Sequence, residues 1–181
     1  GAKKMDKFYP RSFNLGVKND VFRALDGFSS MRFGEDIDFS IRVFKGGYKC
    51  RLFPDSWVWH KRRTDLKKFF KQVYNSGMAR VNLYKKYPES LKLGHLLPAA
   101  FTAGSFLCVL SFALFMVLSF VCPSAGFRMG AAFSIAPLLL YSALGFLDSS
   151  LKNKSVKIGL LSVPAAFTQL WGYGLGFFHA W

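Results

Sequence analysis

The sequence predicts two unlike halves, a mixed α/β portion followed by an α-helical membrane region of three spans. Two observations carry this division. Of the 25 basic and 10 acidic residues, 21 and 9 lie at or before His95, and beyond it only Arg128, Lys152, Lys154, Lys157 and Asp148 are charged. The second half instead holds three apolar stretches, Leu96 to Cys122, Met129 to Leu147 and Ile158 to Phe178. With 51% hydrophobic and 18% aromatic residues, the chain is neither disordered nor collagen-like.

In the first half, residues 11 to 17 read as a short extended piece, and Asn19 to Leu25 as a helical turn or two opened by Asn19 or Asp20. Asp26-Gly27 is a turn signal. A helix begins after Gly34, with Ile37, Ile41 and Phe44 at helical spacing, and is stopped by Gly46-Gly47. Its opening acids suit the helix dipole. Two strands are expected next, Tyr48 to Phe53 and Trp57 to His60, joined by a Pro54-Asp55 turn. Thr64-Asp65 then caps a helix reaching Tyr87, in which Leu66, Phe69, Phe70, Val73, Val81 and Tyr84 alternate with lysines. That pattern suits a helix lying in the membrane interface with its lysines toward anionic headgroups.

Each apolar stretch meets or approaches the roughly 20 residues needed to cross a hydrocarbon core. Pro98, Pro137 and Pro164 are compatible with spans, because membrane helices tolerate proline where neighbours satisfy the freed carbonyls. Basic residues crowd the segment before the first stretch and recur in the loop Asp148 to Lys157, whereas the loop Pro123 to Arg128 holds one. By the positive-inside rule the charged half and the second loop are cytoplasmic, and the C-terminus is external. Cys50, Cys108 and Cys122 show no disulfide or zinc spacing. Gly1 is not an initiator Met, and no signal peptide follows it, which suggests a fragment.

The run Asn14-Leu15-Gly16, Leu25-Asp26-Gly27-Phe28, Gly34-Glu35-Asp36-Ile37-Asp38-Phe39, Arg42, Gly46-Gly47, Pro54 and Val58-Trp59-His60 resembles the C-terminal half of the catalytic domain of family 2 glycosyltransferases. The resemblance implies the C-terminal part of a nucleotide-diphospho-sugar transferase fold over residues 1–63. A basic interface helix and linker over 64–95 and three transmembrane helices over 96–181 would follow. It implies an inverting transfer from a nucleotide-sugar donor to a hydroxyl of a glycan or lipid-linked acceptor. Asp36 would be the general base, with Glu35 orienting the acceptor or the base. Asn14, Gly27, Arg62 and Arg63 would contact donor or acceptor, and His60 would join the shell of a divalent metal, Mg or Mn.

Each of these residues has a plainer role open to it. Asp36 suits the first turn of any helix, His60 could be a packed strand end, and Arg62 and Arg63 also belong to the basic flank. Asp36 and Asp38 spell Asp-x-Asp, but side chains two apart on a helix diverge, so a shared metal is not expected there. The family's metal-binding strand is not found before Phe13, so the donor-binding half is expected to be missing and the isolated chain inactive. Gln72 is followed by Val73-Tyr74-Asn75 rather than by the Gln-x-x-Arg-Trp of processive members, which favours single-sugar transfer. A bacterial inner membrane is the expected location and membrane lipids the expected partners. Nucleic acid is not expected, since no recognised binding motif is present. The alternative is a non-catalytic membrane-anchored module that binds anionic lipid or a partner protein.

Overall fold

The computed structural model describes residue 9 and residues 12–53, 55–61 and 64–181. Among them are six α-helices: α1 (Asn19–Ala24), α2 (Glu35–Lys45), α3 (Leu66–Lys86), α4 (Leu93–Val121), α5 (Ala125–Asn153) and α6 (Val156–Ala180). Short 3-10 turns at Ser12–Asn14 and Pro88–Ser90 complete the set.

No strand forms among the described residues, so the expected α/β class is overturned in favour of an all-helical fold. The two anticipated strands lie in irregular chain on either side of a turn in which Ser56 N–H donates to the Phe53 carbonyl at 3.1 Å. A strand exists only through the ladder it makes with a neighbour, and period-two alternation does not supply that neighbour. Trp59, within the second anticipated strand, is 92% exposed.

The helix boundaries follow local chemistry. Asp65 caps α3 by accepting from the Lys67 and Lys68 amides at 2.6 and 3.1 Å. Gly46 follows the last residue of α2, and Gly47 takes a left-handed φ of 76°. Ser124 and Ser155 cap α5 and α6 through their hydroxyls.

Helices α4 and α5 are long and apolar enough to cross a membrane, and only 6% of each apolar stretch is buried. A soluble core would cover such surface. They form an antiparallel hairpin, with Phe115 against Gly130 and Phe101 against Tyr141.

Helix α6, the third expected span, is not among the helices long and apolar enough to cross a membrane by length and composition. Its course is also different. Near its start Gly159 packs on Phe146 and Ser150 of α5, and near its end Gly174 packs on Pro98 and Thr102 of α4. In an antiparallel hairpin the C-terminal part of α5 and the N-terminal part of α4 are neighbours, so both ends of α6 lie toward the same end of the pair. The positive-inside rule predicts a C-terminus across the membrane from α3. Instead, the Lys85 ammonium donates to the Ala180 carbonyl at 2.6 Å, and Trp181 stacks on Tyr84 with ring centroids 5.5 Å apart.

Small residues make this course possible. A Cβ on Gly77 of α3 would collide with the Tyr173 carbonyl, and one on Gly176 of α6 with the Tyr74 carbonyl. Gly172 and Gly176 thus bring α6 into backbone contact with α3, while Gly174 between them does the same for α4. The Thr102 hydroxyl adds a bond across helices to the Leu170 carbonyl at 3.1 Å. Val81, Ala99 and Phe177 form the small core where α3, α4 and α6 meet.

Candidate functional site

Helix α2 carries the acids singled out by the sequence, and its seat on α3 begins with Gly34. That residue has φ 87°, a conformation costly for any side chain-bearing residue, and a Cβ there would press at 3.3 Å on Ala79 and Leu83 of α3. The first turn of α2 is therefore held directly over α3. Ile41 of α2 packs with Leu83 and Tyr87, flanked by Met31 and Ile37.

Asp38 fixes this arrangement. Its fully buried carboxylate accepts from the Lys86 ammonium at 2.5 Å, the Tyr87 hydroxyl at 2.9 Å and Arg42 Nε at 3.0 Å. Burial alone would raise its pKa. The Lys86 and Tyr87 hydrogen bonds and the Arg42 charge outweigh it and hold the group below the usual carboxylate value. Conversely, the hydrogen bond to Asp38 holds the Lys86 ammonium above the usual lysine value. Asp38, which the sequence argues against as a metal ligand and otherwise leaves without a fixed role, is the tie between α2 and the end of α3.

Arg42 extends the tie backward. Its Nη2 donates to the Gly27 carbonyl at 2.7 Å, its Nη1 to the Leu25 carbonyl, and its guanidinium lies over the Phe39 ring. Phe39 in turn packs with Phe22 and Phe28. Gly27, expected as a ligand contact, is thus the buried corner of a turn clamped onto α2, with φ 61° and its amide bonded to the Phe22 carbonyl at 2.8 Å.

Asp36 lies in the first turn of α2 with 8% exposure, its carboxylate accepting from the Ile37 amide at 2.8 Å. Glu35 beside it is half-buried. These two acids and Asp38 share one helix turn, and Arg42 links that turn to Gly27. Asn14 is exposed at the end of its 3-10 turn, before a shallow crevice lined by Leu15, Val17, Phe22 and Phe28. His60 is exposed in the irregular segment that follows Trp57 and Trp59. Arg62 and Arg63 lie outside the described residues.

Among the described residues no group of three His, Cys, Asp or Glu side chains is placed to hold a metal ion.

A second cleft escaped the sequence reading. It lies between α2, the second half of α3 and the start of α4, and it gathers Arg80, Ser90, Lys92 and His95. In the sequence Arg80 and Lys92 are part of the diffuse basic flank before the first apolar stretch, and no spacing rule ties position 80 to position 95.

No described protein family, characterised protein or solved structure matches the chain.

Proposed function

We propose that the chain belongs to a membrane-anchored inverting glycosyltransferase of family 2, supplying the base and acceptor side of the reaction. The observation that carries this reading is the first turn of α2, where Glu35 and Asp36 are held over α3 by the Asp38 tie, beside two helices apolar enough to cross a membrane. The series of motifs around that turn supports it from the sequence. In this reading the Asp36 carboxylate takes the proton of an acceptor hydroxyl as its oxygen attacks the anomeric carbon of the donor sugar. The new glycosidic bond forms on the face opposite the departing nucleoside diphosphate, which leaves with the electron pair of the old bond. Glu35 orients the acceptor. The active turn faces the cytoplasm of a bacterial inner membrane, and a lipid-linked glycan is the acceptor within reach. A divalent metal, if the enzyme uses one, takes most of its ligands from elsewhere than the described residues.

The reading is tested in membranes carrying the protein as encoded, by following radiolabelled sugar from a panel of nucleotide sugars into lipid-extractable product. Asp36→Asn removes the base while keeping the side chain's size, and general-base catalysis is worth about a hundred- to ten-thousand-fold. Transfer should fall by that factor while nucleotide-sugar affinity stays within about threefold. Undiminished transfer by a folded Asp36→Asn protein would refute the assignment.

A further inference from the structure

The cleft between α2, α3 and α4 has a chemistry of its own. Ile37 and Ile41 form its apolar wall, and Arg80, Ser90, Lys92 and His95 its polar one, around a volume of about 190 Å³. Arg80 and Lys92 are close enough to His95 to act on it electrostatically. The acid on the wall, Glu89, is engaged by Lys45 at 2.9 Å, and neither Arg80 nor Lys92 is in an ion pair among the described residues. The Ser90 hydroxyl oxygen is buried with no hydrogen-bond partner among the described residues, which is costly unless something fills that role. His95 Nδ1 accepts from the Lys92 amide at 3.0 Å, so the neutral ring carries its hydrogen on Nε2, as a donor. The 29-residue helix α4 starts here, adding the partial positive charge of its first turn.

We propose that this cleft binds the phosphate of an anionic membrane lipid. Arg80 and Lys92 supply the charge, and Ser90, His95 and the first amides of α4 supply the hydrogen bonds. The position selects a lipid source, because the apolar surface of α4 begins one turn away and the cleft therefore sits at headgroup level. The inference needs α4 in a membrane and does not rest on the transferase reading.

The test uses the full chain in micelles of an uncharged sugar detergent, titrated with phosphatidic acid, phosphatidylcholine and inorganic phosphate, with binding followed by thermophoresis. Phosphatidic acid should bind at least tenfold more tightly than either of the others. A basic residue near a membrane surface is worth about fivefold in affinity. Arg80→Gln and Lys92→Gln should each weaken phosphatidic acid by about that factor, and Lys67→Gln with Lys68→Gln, at the far end of α3, should leave it within twofold. Lys92 is exposed, so its variant keeps the test decisive should Arg80→Gln fail to fold. An equal loss from the Lys67 and Lys68 pair would reduce the effect to diffuse charge and overturn the proposal. Inorganic phosphate binding as tightly as phosphatidic acid would overturn the lipid source.

Discussion

Asp38 and Lys86 stand 48 residues apart in the chain and meet at 2.5 Å, the carboxylate fully buried and the ammonium at the rim. This contact joins the helix bearing the proposed base to the helix that leads into the apolar hairpin. Arg42 continues it to the turn at Gly27, so one carboxylate organises three segments.

Asp38→Asn should therefore loosen α2. Removing one partner of a buried pair typically costs about 3–5 kcal/mol, and the partial exposure of Lys86 and Arg42 reduces this to about 2 kcal/mol. Hydrogen exchange at the amides of α2 should accelerate accordingly, while α4 and α5 keep their protection.

The same pair sets a pH window. A carboxylate whose folded pKa is depressed contributes stability above its unfolded value, near 3.8, and loses it as the pH falls through the lower folded value. A lysine whose folded pKa is raised contributes below about 10.5 and loses its share as the pH climbs through the higher folded value. Thermal unfolding followed by circular dichroism should show a plateau between these limits, and Asp38→Asn should lower the plateau and flatten its acid edge.

Gly176→Leu should separate α3 from α6. The side chain would have to occupy the space of the Tyr74 carbonyl, and overpacking of this kind costs typically about 1–3 kcal/mol even where side chains can move. Here backbone must move, so the upper end is expected. Cross-linking between cysteines placed at positions 84 and 181 should be efficient in the parent protein and lost in this variant.

The position of Trp181 against Tyr84 predicts a topology. A single cysteine at position 181 should react with impermeant maleimide from the same side of a sealed vesicle as one at Asn153, and from the side opposite one at Ser124. Labelling of positions 181 and 124 from one side would show that α6 crosses after all.

What the sequence made legible was local. The cap at Asp65, the glycines bounding α2 and the apolar runs of α4 and α5 are each decided within a few residues, and each element formed. The strands at Tyr48 and Trp57 were misread because alternation reports a pattern of side chains, not the partner that completes a ladder. Length alone does not disclose the course of α6, since Gly172, Gly174 and Gly176 shorten no helix but serve packing between helices. Within the site, the Asp38 and Arg42 spacing of four residues was readable as a helix pair. Lys86 was not, because no local rule joins it to α2. The cleft at Arg80 and Lys92 was hidden for the same reason.

The close fit between α3 and α6 also orders the protein's assembly in time. The residues that receive Phe70, Val73, Tyr74 and Gly77 lie between positions 172 and 179, about a hundred residues further along the chain. During synthesis α3 emerges, then waits while the apolar hairpin is made and inserted, and finds its seat only when the last turns of α6 appear. Until then the platform beneath Glu35 and Asp36 has no floor. A chain released early, with its membrane helices in place, would be anchored and yet unable to present the turn that the proposed chemistry needs.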